Sequence, residues 1–239
     1  MDAFENRFSE HWDYLIDWDQ RWQRDSSLIF NYISEIFLAK ATVPNVLDAA
    51  AGTGVDFIYG LKNGFECHAS DASASMLEVL KRNLSKRCLS DYKDRIYQID
   101  WGDLGDLNKK FDVILCVGNS FACCIDENER FRAFKGFMSS LSPGGILILD
   151  HRNYDHILSH SSCKLKGLSL YYGKEVEIAQ DGECPTDFIY SFEDSSSYKL
   201  EMRPVYEDRL FEYASGANFN YKACLKRDDS VIVHAFIVN

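Results

Sequence analysis

The residues of this 239-residue chain that could do chemistry come in short polar groups, each directly after an apolar run. Asp48 ends Val46-Leu47 and opens the turn Ala50-Ala51-Gly52-Thr53-Gly54; Asp71 follows FECHAS. Asp100-Trp101 follow RIYQI, Gly118-Asn119-Ser120-Phe121 follow FDVILCV, and Asp150-His151-Arg152-Asn153-Tyr154 follow ILIL. A strand, a glycine turn and a helix N-terminus let a nucleotide-like ligand approach bare backbone. The turn is not the G-x-G-x-x-G of a dinucleotide site: Ala50 stands where the first glycine would be and no third follows. The turn alone therefore indicates a nucleoside and leaves its identity open. Asp71 lies 17 residues beyond Gly54, where a doubly wound fold places the acid that accepts from ribose hydroxyls. A strand-end aspartate can equally cap a helix, and its position relative to the turn favours the ribose role.

The elements that must present these groups follow from periodicity. Val46-Leu47, FECHAS, RIYQID, FDVILCVG and ILILD read as buried strands. Between them lie the helical patterns VDFIYGLK, Met76-Leu77-Leu80-Leu84 behind a capping box at Ser75-x-x-Glu78, and Phe131-Phe134-Met138-Leu141 ended by Ser142-Pro143-Gly144-Gly145. Strict alternation predicts an α/β fold, a parallel sheet with helices on both faces, and ligands of such sheets sit beyond the carboxyl ends of the strands. Two helices precede the first strand, with a cap expected at Ser26 or Ser27. Between them WDYLIDWDQRWQRD holds Tyr14, Trp18, Arg21 and Arg24, which could close over a ligand; spacing alone favours an amphipathic helix packing its rings on the sheet. From about residue 160 the pattern becomes antiparallel strands without helices, expected to cover the ligand edge. VYEDRLFEYA then offers a short helix and VIVHAFIV a closing strand. The expected organisation is one domain over 1–239, with a helical cap over about 1–40 and an antiparallel lid over about 160–205.

A formal net charge of −11 argues against nucleic acid or anionic membrane as partners, since both need a clustered positive field. No apolar run approaches bilayer-spanning length and the start has no secretory pattern. Eight irregularly spaced cysteines read as reduced thiols in a cytoplasmic protein. His151, His156 and His160 do not share a helix face, and no metal site is expected.

Beyond these patterns, VLDAAAGTGVD, SDASASML, QIDW, GNSFA, SPGGILILDHRNYD and the late YY, SFED and YKLEMRP together resemble the glycine N-methyltransferase and glycine/sarcosine N-methyltransferase family, over nearly the whole chain. These are class I, Rossmann-like methyltransferases that use S-adenosylmethionine. The resemblance implies a seven-stranded, mostly parallel sheet with one reversed strand plus the antiparallel lid. It places Asp48, Ala50 and the Gly52–Gly54 turn along the cofactor, Asp71 on its ribose, Met76 on adenine, Asp100 and Trp101 at the adenine edge, and Val117 and Gly118 near the methionine part. An N-terminal arginine grips the cofactor carboxylate in the family; Arg24 fits by distance from Asp48, Arg21 second. Arg152 would clamp the carboxylate of a small amino acid, Asn119 would face its amine, and Tyr14 would add a hydroxyl from the cap. The implied reaction is N-methylation of glycine, sarcosine or another small carboxylate-bearing amine, in possible service of glycine betaine formation, by a protein that could assemble as an oligomer.

In-line methyl transfer needs neither metal nor covalent intermediate, and most of its acceleration can come from alignment. Desolvation under the lid is expected to favour the neutral amine without a dedicated base. Against these roles stand an Arg152 salt bridge to Asp150 or Asp155 and an Asn119 that merely suits a turn. Three departures from the family pattern stand out: Cys123 where histidine is common, Glu201-Met202-Arg203-Pro204 where a tyrosine precedes the proline, and a short region after the lid. Arg203 could enter the pocket or lie exposed on the lid.

Overall fold

The computed structural model describes residues 8–38, 42–159, 167–171, 174–180 and 186–238. In chain order the helices are α1 (Phe8–Leu15), α2 (Trp18–Arg21), α3 (Ser27–Leu38), α4 (Val55–Lys62), α5 (Ala74–Lys86), α6 (Glu127–Ser140), α7 (Tyr154–Ser159) and α8 (Glu207–Gly216). The strands are β1 (Asn45–Asp48), β2 (Glu66–Asp71), β3 (Ile96–Gln98), β4 (Phe111–Cys116), β5 (Leu141–Arg152), β6 (Gly167–Tyr171), β7 (Lys174–Gln180), β8 (Phe188–Phe192), β9 (Ser197–Leu200), β10 (Phe219–Arg227) and β11 (Val231–Val238).

Seven strands form one sheet in the order β3-β2-β1-β4-β5-β11-β10. The first five are parallel, and β11 runs antiparallel to both β5 and β10, so it is the single reversed strand. Val113, Ile114 and Leu115 of β4 and Leu147, Ile148 and Leu149 of β5 are fully buried, because helices cover both faces. Burying each such side chain contributes about 1.5–3 kcal/mol, which commits these strands to the centre. Strand order reverses between β1 and β4, and a crevice opens beyond their carboxyl ends.

The second sheet is an antiparallel meander, β6-β7-β8-β9, as the late strands predict. Helix α1 packs its aromatic stripe on it: Phe8 stacks on Tyr198 with centroids 4.8 Å apart, and Trp12 meets Tyr190 edge-on at 6.0 Å. The same helix reaches the main body through Asp13, which accepts from Asn83 Nδ2 at 2.9 Å. Together α1 and the β8–β9 hairpin roof the crevice.

Three local expectations change, and one strand was not anticipated. Helix α5 is capped by Ser73, whose hydroxyl accepts from Met76 N–H, so it starts before the Ser75 box. Ser26 and Ser27 cap nothing: α2 runs into α3 through a π-helical turn, Trp22–Ser26. Strand β5 begins at Leu141 and runs through Ser142-Pro143-Gly144-Gly145, which paired with α6 as a helix end in the sequence reading. Strand β10 carries no apolar alternation because it is the sheet edge, with only Phe219 buried. Among the described residues no helix is long and apolar enough to cross a membrane.

Candidate active site

The crevice is a cleft of about 630 Å³. Its floor is the loop after β1, and two carboxylates, the buried Asp48 and the half-buried Asp71, shape that loop. Asp48 Oδ2 accepts from Phe57 N–H at 3.1 Å and its Oδ1 from Ala50 N–H at 3.4 Å, closing the turn onto the start of α4. Burial and the nearby Asp56 carboxylate push its pKa well above the usual carboxylate range. Asp71, at the end of β2, accepts from Gly52 N–H and Ser73 N–H, both at 2.9 Å. The two glycines differ. Gly52 (φ +51°) stands on the cleft wall with nothing near the position of a β-carbon, whereas at Gly54 (φ +100°) a β-carbon would lie 2.8 Å from Leu80 Cγ.

At the β3 end, Trp101 donates its indole N–H to Ala49 O at 2.6 Å, which fixes the ring against the loop after β1. Asp100 accepts from Gly102 N–H and faces Arg132 Nη2 at 3.4 Å. Met76, Ala50, Asp71, Asp100, Trp101, Val117 and Gly118 all line the cleft. Asp48 and Gly54 do not; they hold the loop from behind.

Beyond β4 the chain turns through Gly118 (φ +84°) and Asn119 (φ +60°), a conformation asparagine tolerates better than most residues. Asp150, buried on β5, holds both: its carboxylate accepts from Gly118 N–H at 3.0 Å and Asn119 N–H at 2.6 Å. Burial raises its pKa while the Arg21 charge and the two N–H donors oppose the rise. Asn119 Oδ1 accepts from the backbone N–H of Arg152 at 3.0 Å, an obligate donor that sets which way the carboxamide faces. Its Nδ2 then lies 3.3 Å from Met202 Sδ and 3.3 Å from the buried Tyr154 hydroxyl. Asn119 and Arg152 are thus joined, and both line the cleft. The Arg152 guanidinium lies 5.1 Å from the Phe188 ring and forms no ion pair among the described residues, so the salt bridge to Asp150 or Asp155 is not made.

The N-terminal cap presents Arg21, not Arg24. Arg21 Nη2 pairs with Asp56 Oδ2 at 3.0 Å, and its Nε is buried without a partner among the described residues. Burial works against its charge, but the carboxylates of Asp56, Asp150 and Asp25 outweigh it and push the guanidinium further up. Arg24 is 55% exposed, bonds Asp25 and does not line the cleft. Tyr14 is 50% exposed and also lies off the cleft wall, where Trp12 and Ile16 of the same region stand instead. Arg203 turns away to Asp187 at 3.1 Å, and it is Met202 that enters the cleft.

His151 faces away as well. Its Nδ1 is 2.9 Å from Arg152 O and its Nε2 is 3.2 Å from His234 Nε2, in a buried stack where burial pushes His234 down to about 4. His156 lies near Asp229, and His160 is outside the described residues. Among the described residues no cluster of histidine, cysteine or carboxylate side chains could hold a metal ion.

Residues 46–145 match the family model described as a methyltransferase domain. The chain is 37% identical over 202 residues to the glycine/sarcosine N-methyltransferase of Parasynechococcus marenigrum, covering 83% of this chain and 69% of that protein. It is 38% identical over 207 residues to that of Halorhodospira halochloris, covering 84% and 73%. The chain belongs to the glycine/sarcosine N-methyltransferase family. It is an S-adenosylmethionine-dependent methyltransferase with the class I fold. An S-adenosylmethionine-dependent methyltransferase from Clostridium acetobutylicum shares that fold with a TM-score of 0.73 over 98% of both chains, at 21% identity. The residues of this family member that sequence reading passed over are Met202, Leu200 and Phe188 from the second sheet and its return, and Trp12 and Ile16 from the cap. Trp12 shares the α1 stripe with Phe8, which was a usable signal; nothing in the sequence marks Phe188.

Proposed function

We propose that this enzyme methylates the amine of a small amino acid, glycine or sarcosine, held by its carboxylate on Arg152. The observation that supports this most directly is the Arg152 guanidinium, on the cleft wall beside Asn119 and without an anionic partner among the described residues. A planar fork in that position suits a carboxylate bidentately. Its backing by the Phe188 ring leaves the outer edge for the ligand.

The other end of the cleft suits S-adenosylmethionine, which supplies an electrophilic methyl group on a sulfonium. Asp71 would accept from the ribose hydroxyls, open space beside Gly52 would admit the backbone-hugging part, and Met76, Asp100 and Trp101 would flank adenine. The buried Arg21 Nε, unpartnered among the described residues, is a donor that a ligand carboxylate would satisfy, so Arg21 takes the role sequence distance favoured for Arg24. Asp71 and Arg152 end strands separated by β1 and β4, three inter-strand steps or roughly 14 Å, which leaves room for cofactor and acceptor end to end.

Chemistry by the chain's own residues is positional. Arg152 anchors the acceptor, and Asn119 Oδ1 accepts from its amine and aims the lone pair along the cleft. Leu200, Met202, Trp12 and Ile16 shield the site from water, which disfavours the ammonium form. Asp150, committed to two backbone N–H groups, is not available as a base.

Release of S-adenosylhomocysteine over a panel of glycine, sarcosine, dimethylglycine and carboxylate-free amines tests this reading. Turnover is expected on glycine or sarcosine, and Arg152→Ala should raise KM for them about 100-fold or more while leaving cofactor affinity within about threefold. Unchanged turnover in Arg152→Ala would refute the clamp, and no turnover on any amine would refute the acceptor class.

A further inference from the structure

The acceptor end of the cleft has an uneven supply of hydrogen-bond partners. Asn119 Oδ1 already accepts from Arg152 N–H, leaving one lone pair for an incoming amine, contested among the described residues only by the long 3.5 Å contact from the Tyr154 hydroxyl. Its Nδ2 is taken by Tyr154 and by Met202 Sδ. The thioether is a weak acceptor, and that contact occupies the side it turns to Asn119. Leu200 and Trp12 continue the apolar wall.

Met202 is held firmly in place. Its N–H donates to Asp187 Oδ1 at 3.0 Å and its carbonyl accepts from the Thr186 hydroxyl at 2.9 Å. Asp187 is itself buried and paired with Lys199 and Arg203. Arg203 N–H bonds Ala122 O at 2.8 Å, and the buried Arg130 donates to the carbonyls of Cys124 and Arg203. The backbone that carries the thioether is therefore stitched to the β4–α6 loop beside Asn119, which keeps residue 202 at the cleft wall with its side chain, 2% exposed, against Asn119.

We propose that Met202 is a specificity-determining residue that makes a secondary amine, sarcosine among the small acceptors, the preferred substrate over the primary amine glycine. This rests on the acceptor reading above. The reactive form of either acceptor is the neutral amine. Its lone pair forms the new N–C bond as the methyl–sulfur bond breaks with its electron pair going to sulfur, and a proton on the resulting ammonium leaves to solvent. Neutral sarcosine has one N–H, which Asn119 Oδ1 accepts, and an N-methyl group that suits the Met202–Leu200 wall. Neutral glycine has a second N–H that meets that wall unpaired. An unpaired buried donor corresponds to roughly fivefold to 100-fold in binding, and the added methyl contact acts in the same direction.

The test is the ratio of kcat/KM for sarcosine to that for glycine, at saturating S-adenosylmethionine, in the wild type, Met202→Leu and Met202→Gln. The wild-type ratio should be about tenfold or more. Met202→Leu keeps the apolar wall and should hold the ratio within about threefold, whereas Met202→Gln supplies a carboxamide oxygen for the second N–H and should lower it at least fivefold. A wild-type ratio at or below one, or a ratio unchanged in Met202→Gln, would overturn the proposal and leave the acceptor class standing. If Met202→Gln does not fold, as read by its circular dichroism, the wild-type ratio decides. Turnover of neither amine would overturn the acceptor class and this proposal together.

Discussion

Replacing each glycine of the Ala50–Gly54 turn with alanine should produce two different phenotypes. At Gly54 the backbone sits at φ +100°, outside any region an L side chain favours, and the new methyl would lie 2.8 Å from Leu80 Cγ and 3.3 Å from Ile58 Cδ1. Leu80 and Ile58 are fully buried, so neither can retreat without disturbing the core between α4 and α5. Overpacking of about 1–3 kcal/mol adds to backbone strain of about 1–2 kcal/mol, for a total of roughly 2–5 kcal/mol. For a chain of this size that lowers Tm by about 5–15 °C. Gly52 sits at φ +51°, near the left-handed well, with open space around the added methyl. Gly52→Ala should therefore cost only about 1 kcal/mol of stability. Its methyl stands on the cleft wall where the cofactor would approach the backbone, so S-adenosylmethionine affinity should fall about tenfold or more. Thermal unfolding of both variants without ligand, and calorimetric titration with S-adenosylmethionine, separate the two effects. Equal Tm losses, or a Gly52→Ala variant that binds cofactor as the wild type does, would refute the division of labour in this turn.

Arg21→Ala should weaken S-adenosylmethionine binding by about tenfold or more, because it removes a buried donor from the cleft wall, while Arg24→Ala, which removes an exposed ion pair, should change binding less than twofold and stability by less than about 1 kcal/mol; titration calorimetry on both variants decides which arginine serves the cofactor. His234 is fully buried and pushed down to about 4, so the unfolded chain binds the extra proton first and stability falls as pH drops from about 6.5 toward 4. Asp48 and Asp150, pushed up by burial, act in the opposite direction, so the comparison is between proteins: from pH 7 to 4.5 the wild type should lose about 2 kcal/mol more than His234→Gln in denaturant titrations, and parallel profiles would refute the assignment.

Which arginine faces the cleft was not legible from spacing, and the reason is local. Distance along the chain from Asp48 favours Arg24 over Arg21, and chain distance carries no facing. The π-helical turn Trp22–Ser26 joins α2 to α3 without a break, and in it Arg24 turns to Asp25 while Arg21, at the end of α2, turns to Asp56. The expected Ser26–Ser27 cap failed because that join is unbroken. Tyr14 was misread as a cleft residue although Phe8 and Trp12, four apart on α1, mark the inward stripe from which it is displaced. Arg203 and Met202 are adjacent in the irregular segment that follows β9, where no periodicity assigns faces, and the anchoring of that segment by Asp187 and Arg130 sets which one enters.

Strand ends carry their polar residues in sequence because each strand is a buried apolar run that must stop where water or ligand begins. For that reason the five parallel strands, the closing strand, the glycine turn, and the placing of Asp71, Asp100, Trp101, Asn119 and Arg152 along one edge could all be read from the chain alone, whereas the edge strand β10 could not. What surrounds the acceptor could not. Phe188 beneath Arg152, Met202 against Asn119 and Asp150 under the Gly118–Asn119 turn are contacts between segments up to 83 residues apart. Periodicity records only which side of its own element a residue faces, and those contacts depend on how separate elements pack.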